Sequence, residues 1–162
     1  MVQRVLAGQA AQLRALRLRA LREDPDAFGS TLMREAGLPE KHWQHWSTDS
    51  DAGEHRVVFV AAVPEWAGMA GGFLDENRPG TATVGAMWVD PAHRRRGLGT
   101  QLLDAVLDWA VSRSAVMIEL SVTDENAAAE RLYARAGFTH AGVRAPLDHE
   151  RALQKSFMTR AL

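Results

Sequence analysis

A chain of 162 residues, 46% of them hydrophobic, falls within the usual size of one domain and can bury a continuous core, so residues 1–162 are read as a single domain. With 19 Lys and Arg against 20 Asp and Glu, the net charge of -1 gives no global field that would hold a nucleic-acid backbone or an anionic membrane. Cysteine is absent, which excludes disulfides, thiolate metal sites and a cysteine nucleophile.

No apolar run near the start of the chain reaches signal-peptide or membrane-span length, and the expected location is the cytoplasm. After an apolar start at Val2, Val5 and Leu6, residues 8–23 place Leu13, Leu16 and Ala20 at helical spacing. Arg14, Arg17 and Arg22 lie largely elsewhere on that helix and read as a solvated face rather than a nucleic-acid stripe. Asp24-Pro25-Asp26 ends the helix, because proline cannot continue it. A loop at Phe28-Gly29-Ser30-Thr31 follows, then a second helix near residues 39–46.

Residues 57–63 are apolar and rich in β-branched side chains, and Pro64 closes them, which reads as a strand. Further strands are predicted over 69–74 and, after the turn Asn77-Arg78-Pro79-Gly80, over 81–89. The three make an antiparallel meander. A helix over 99–113, a strand over 116–122, a helix over 126–136 and strands near 138–143 and 154–162 complete the order. The expected fold is α/β with a mixed sheet of six to seven strands and four helices on both faces.

The segment from Val89 through Pro91 to Thr100 joins a strand to a helix whose apolar positions Leu98, Leu102, Val106 and Trp109 recur at helical spacing. A helix start exposes unpaired N–H groups and the positive end of the dipole. Gly97 and Gly99 let a diphosphate approach them, and Arg94, Arg95 and Arg96 add charge. The P-loop pattern is absent, and Leu102 stands where a dinucleotide fingerprint needs its third glycine.

The order strand, proline turn, R-x-x-G-x-G and helix over residues 87–100 resembles the acetyl-CoA-binding motif of the GNAT acyltransferase superfamily. Residues 126–138 are similar to its second signature, N-x-x-A-x-x-L-Y-x-x-x-G-F, carried here by Asn126, Ala129, Leu132, Tyr133, Gly137 and Phe138. The resemblance implies a fold with splayed central strands and N-acetyl transfer from acetyl-CoA to an amine, with no metal. It implies coenzyme contacts at Val89, Arg94, Arg95, Arg96, Gly97, Leu98, Gly99, Thr100 and Asn126. Asn126 also reads as a plain helix N-cap.

By the same resemblance, Tyr133 is the general acid that protonates the departing thiolate. A phenol of pKa roughly 10 can share a proton with a thiolate whose conjugate acid lies at about 8 to 9. The alternative is that Tyr133 only packs against its helix neighbours. Relatives often carry a glutamate base on a central strand. Residues 81–89 hold no carboxylate, and Glu119, on the face shared by Ser121, reads either as a base acting through water or as a salt-bridged strand residue.

The acceptor is expected between the first helices and the last strands, with Phe28, Ser30 and Trp88 as contacts. It is a small-molecule amine or a peptide amine, with no nucleic-acid or membrane partner, and the chain is a monomer or homodimer. A coenzyme-binding module without catalysis is the competing reading.

Overall fold

The structure, a computed structural model, describes the backbone of residues 1–162 and every side chain except those of Glu150 and Arg151. Among the described residues seven strands form one mixed sheet in the order β1-β2-β3-β4-β5-β7-β6. They are β1 (Val2–Arg4), β2 (Arg56–Ala62), β3 (Trp66–Leu74), β4 (Thr81–Val89), β5 (Met117–Thr123), β6 (Thr139–Leu147) and β7 (Glu150–Ala161). The helices are α1 (Ala10–Glu23), α2 (Leu32–Ala36), α3 (Glu40–Ala52), α4 (Leu98–Ser112) and α5 (Ala127–Arg135). Two elements were not expected from the sequence. The apolar start is an edge strand paired with β2 through Val2 and Ala61, and α2, capped by the Thr31 side chain at the amide of Arg34, raises the helices from four to five.

Strand alternation divides the core into two layers. Val57, Ala61, Ala70 and Val84 face α4 through Leu102, Leu103, Val106 and Trp109, while Val58, Val60, Met69 and Trp88 face α1 and α3 through Leu13, Leu16, Leu21 and Trp43. Each such large apolar side chain, fully buried, contributes about 1.5–3 kcal/mol. Polar contacts tie the end of α3 both to the sheet and to α4: the buried Ser50 hydroxyl bonds the amide and carbonyl of Val58 at 2.8 and 3.2 Å, and Trp109 Nε1 donates to the carbonyl of Gly53, the C-cap of α3, at 2.8 Å.

The sheet does not pair evenly across its middle. Between β3 and β4 the register runs from Met69↔Trp88 to Gly71↔Gly85, leaving one extra residue in β4. That is a β-bulge, and Ala86 within it takes the left-handed backbone angle φ 52°, which a non-glycine residue adopts only against a steric cost. Beside it, β4 and β5 run parallel but pair only from Thr81↔Met117 to Thr83↔Glu119. Beyond Thr83 the two strands part.

Against α4, a Cβ built at Gly72 would stand 2.8 Å from Trp109 Cζ3 and 2.9 Å from Val106 Cγ1. Gly72→Ala is therefore expected to destabilise the protein by about 1–3 kcal/mol through overpacking, read as a lower urea midpoint with unchanged slope.

Candidate acyl-transfer site

Where β4 and β5 part, a cleft of about 1120 Å³ opens. Its walls come from the end of α1, the bulged half of β4, the start of α4, the end of β5 and one side of α5. Of the residues singled out from the sequence, Val89, Arg94, Arg95, Gly97, Leu98, Gly99, Thr100, Asn126, Tyr133, Phe28 and Trp88 all line this single cleft. Arg96, Ser30 and Glu119 do not.

At the α4 end, Gly97 adopts φ 79° and Arg95 φ 61°, so the chain turns sharply out of the Pro91–His93 turn into the helix. The first amide with a helical acceptor is Gln101, which donates to the carbonyl of Gly97 at 3.1 Å. The amides of residues 95–100 have no protein acceptor among the described residues. They sit at the positive end of a 15-residue helix, which is the arrangement that holds a diphosphate. A Cβ at Gly99 would come within 3.2 Å of Leu132 Cδ2 and 3.5 Å of Met87 Cε, so the glycine also keeps open the passage between β4 and α5. These features fit the diphosphate and arm of acetyl-CoA.

The three consecutive arginines do different work. Arg95 lines the cleft. Arg94, although exposed, is engaged by protein acceptors, donating from Nε to the carbonyl of Val89 at 2.8 Å and from Nη2 to Asp24 at 2.6 Å. Arg96 lies outside the cleft wall because the two left-handed residues around it carry its side chain away from the mouth.

Val89 is oriented for a role in the gap. The amide of Asp90 donates to the carbonyl of Ala67 at 2.8 Å. Alternate pairs of an antiparallel ladder carry the hydrogen bonds, so the N–H and C=O of Val89 turn away from β3 and toward β5. The bond from Arg94 to its carbonyl fits that orientation.

Across the cleft, Asn126 caps α5 by accepting from the amide of Ala129 at 3.2 Å, and it also lines the wall. Tyr133 is 5% exposed, with its ring edge-on to Phe138 at 6.1 Å between centroids. Its hydroxyl has no protein hydrogen bond among the described residues. Burial pushes the phenol well above its ordinary value, because an apolar surrounding disfavours the phenolate.

Glu119 is committed elsewhere. Both Nη atoms of Arg78, on the turn before β4, donate to its two carboxylate oxygens. Ser121, two residues along β5, reaches the cleft in its place. Ser30 lies in an adjacent cavity of about 310 Å³. Phe28 and Trp88 touch the cleft, but at 5% and 4% exposure they are also core.

Sequence reading missed the segment that spans the mouth. Asp24 accepts from Trp88 Nε1 at 2.7 Å as well as from Arg94, and the carbonyl of Asp26 accepts from Thr123 Oγ1 at 2.7 Å. The residues after α1 thus tie β4 to β5 across the gap. Nothing local marks Asp24 as more than a helix terminator. Arg17 was also misread as solvated: it is 8% exposed and donates from Nε and Nη2 to Glu35 at 2.9 and 2.8 Å. Its spacing, four residues from both Leu13 and Leu21, places it on the apolar face.

Tyr133 is the chain's only tyrosine, so its titration can be followed directly. Phenolate absorbance is expected to appear only well above the ~10 of a free phenol. The unfolded chain releases this proton first, so the stability tied to it is full below about pH 10 and falls as pH rises beyond that. A spectral midpoint at the free-phenol value in the folded protein would contradict the burial.

The family profile described as "Acetyltransferase (GNAT) family" matches residues 15–138. The ribosomal protein bS18-alanine N-acetyltransferase of Salmonella typhimurium is 43% identical over 63 residues, 39% of this chain and 43% of that protein. The mycothiol acetyltransferase of Beutenbergia cavernae is 42% identical over 65 residues, 40% of this chain and 22% of that protein. The chain therefore spans less than half the length of these curated relatives. Among solved structures, a GNAT-family acetyltransferase from Streptococcus pneumoniae superposes with a TM-score of 0.84 at 17% identity, covering 100% of this chain and 98% of that one. The acetyltransferase yncA of Salmonella typhimurium, solved with its cofactor acetyl-CoA, gives 0.80 at 21% identity, covering 100% and 93%. With the profile spanning most of its length and the fold shared throughout, this chain belongs to the GNAT acetyltransferase family.

Proposed function

We propose that this protein is an N-acetyltransferase that moves an acetyl group from acetyl-CoA to a primary amine by direct attack, acting on a small-molecule amine in preference to a peptide. The observation that carries the reading is that the unpaired amides of residues 95–100 and the buried phenol of Tyr133 open onto one cleft. Acetyl-CoA, when bound, supplies an activated thioester. The N–H of Val89, turned into the gap, donates to the oxygen on which negative charge develops. Tyr133 Oη keeps its proton at neutral pH and shares it with the sulfur as the thiolate departs, and the proton released by the amine restores the phenol through solvent. Glu23, Asp26 and Glu125 are carboxylates on the cleft wall without an ion-pair partner among the described residues, and a water held among them takes the amine's proton in place of Glu119.

The same proposal includes one domain over residues 1–162, a cytoplasmic location and a monomer or homodimer. One observation favours a second reading, a coenzyme-binding module without turnover: the only glutamate of β5 is held by Arg78.

Thiol release from acetyl-CoA against a panel of amines tests the proposal, and release with none of them would leave only the binding module. Tyr133→Phe is expected to keep coenzyme affinity and lose about 10²- to 10⁴-fold in kcat. Gly99→Val is expected to weaken acetyl-CoA binding far more than Arg96→Ala, because the valine branches meet Leu132 and Met87 while Arg96 lies off the wall. Calorimetric titration of the three variants with acetyl-CoA reads the affinities, and initial rates of thiol release read the loss in kcat.

A further inference from the structure

The cavity of about 310 Å³ that holds Ser30 lies behind β4, between the sheet and helices α2 and α3. It shares Arg17, Gly85 and Ala86 with the acyl-transfer cleft. The two spaces thus meet at the bulge, where the β4 backbone and one guanidinium form the boundary. We infer that this smaller cavity is the acceptor's anion subsite, and that the acceptor is a small amine that also carries a carboxylate, as an amino acid does. The inference rests on the acetyl-transfer reading above and adds to it the chemical class of the acceptor.

Charge on the cavity wall is one-sided. Arg17, Arg34 and Arg56 line it, and the only carboxylate among its lining residues is Glu35. Glu35 is fully engaged by Nε and Nη2 of Arg17. That leaves Arg17 Nη1 buried without a hydrogen-bond partner, a state that buried donors seldom keep unless a ligand or water completes them. Arg34 has no ion-pair partner among the described residues. Arg56 reaches Asp49 only at 3.8 Å, too far for a hydrogen bond.

The guanidinium groups are also held in place. Trp46 has Arg17 at 6.0 Å and Arg56 at 5.9 Å from its ring, and Phe28 lies under Arg17 at 4.6 Å. Cation–π contacts with these rings restrain the two guanidinium groups, so less freedom is lost when they bind a carboxylate. Ser30 adds a hydroxyl to the same wall.

The cleft side of the boundary carries unpaired carboxylates. Glu23 and Asp26, without ion-pair partners among the described residues, stand on the cleft side of the boundary, where an ammonium group is drawn before it loses its proton. A molecule with both charges is oriented by this polarity with its amine toward Tyr133 and its carboxylate toward the arginines. A plain polyamine would place cationic groups among three arginines, and a neutral amine would leave the guanidinium groups of Arg34 and Arg56 without an anion.

The test compares L-amino acids with their carboxamides, which keep the amine and remove the negative charge. Thiol release from acetyl-CoA is measured for each pair, and the intrinsic tryptophan emission of the free protein, to which Trp46 contributes, is titrated with the same compounds. For the acid that is turned over best, kcat/KM is expected to exceed that of its amide by about 10- to 100-fold, the range for hydrogen bonds to charged groups. In the double variant Arg34→Gln with Arg56→Gln, at two exposed positions, that ratio should fall toward one. Amides turned over as fast as acids, or a ratio that survives the double substitution, would overturn the subsite. If no amine in either form releases thiol, the acetyl-transfer reading fails, and the emission titration still decides the cavity: a carboxylate-dependent change lost in the double variant supports it, and none at all overturns it.

Discussion

The extra residue that β4 carries at Ala86 is what the rest of the site depends on. A parallel pair of strands would otherwise continue hydrogen bonding past Thr83, and its backbone groups would satisfy one another. The bulge turns β4 away, so pairing with β5 stops after three residues and main-chain groups of β4 face open space. Such a gap in the centre of a sheet costs the ladder bonds that are not made. It persists because both cores grip β4 from its two faces, Val84 on the α4 side and Trp88 on the α1 side, and because Asp24 and Asp26 bridge the diverging strands at Trp88 and Thr123.

That bridge links parts of the site that are far apart in the chain. One carboxylate, Asp24, holds Trp88 and Arg94, and Arg94 in turn holds the carbonyl of Val89. The first helix therefore ends on the same atoms that hold the loop before α4 and the β4 backbone at the gap.

The parts of this arrangement that were legible in the sequence are those encoded locally. Residues 81–89 were read as a strand and are one, since a Gly/Pro turn and Asp90-Pro91 mark both ends. The glycine loop and the Asn126 cap are also short-range features, and they stand where the pattern put them. What was not legible depends on partners distant in sequence. Glu119 meets Arg78 across 41 residues, and no periodicity announces which cation a strand carboxylate will find. The helix α2 has five residues, fewer than two turns, so it leaves no hydrophobic period. Arg17 was misjudged for another reason: its charge was given more weight than its place on the apolar face, although a guanidinium that pairs with Glu35 can be buried there. Arg96 was grouped with its neighbours by type, whereas it lies off the cleft wall, between two residues, Arg95 and Gly97, with left-handed backbone angles.

With a net charge of -1, the protein cannot draw an anionic coenzyme by its overall field, so the attraction has to be local. Of the three arginines before α4, one is used to fix Val89 and one lies off the wall. The greater part of the local attraction would then fall to the main-chain amides of residues 95–100, which have no protein acceptor among the described residues, and to the dipole behind them, with no side-chain entropy to lose. An exposed arginine cluster would be screened by salt over about one Debye length of ~8–10 Å. Amides in direct contact with a diphosphate are much less affected, because no electrolyte fits between donor and acceptor. An anion at this helix start would thus be held chiefly through backbone geometry, while Glu23 and Asp26, unpaired among the described residues, line the cleft and Arg34 and Arg56 line the cavity behind the bulge.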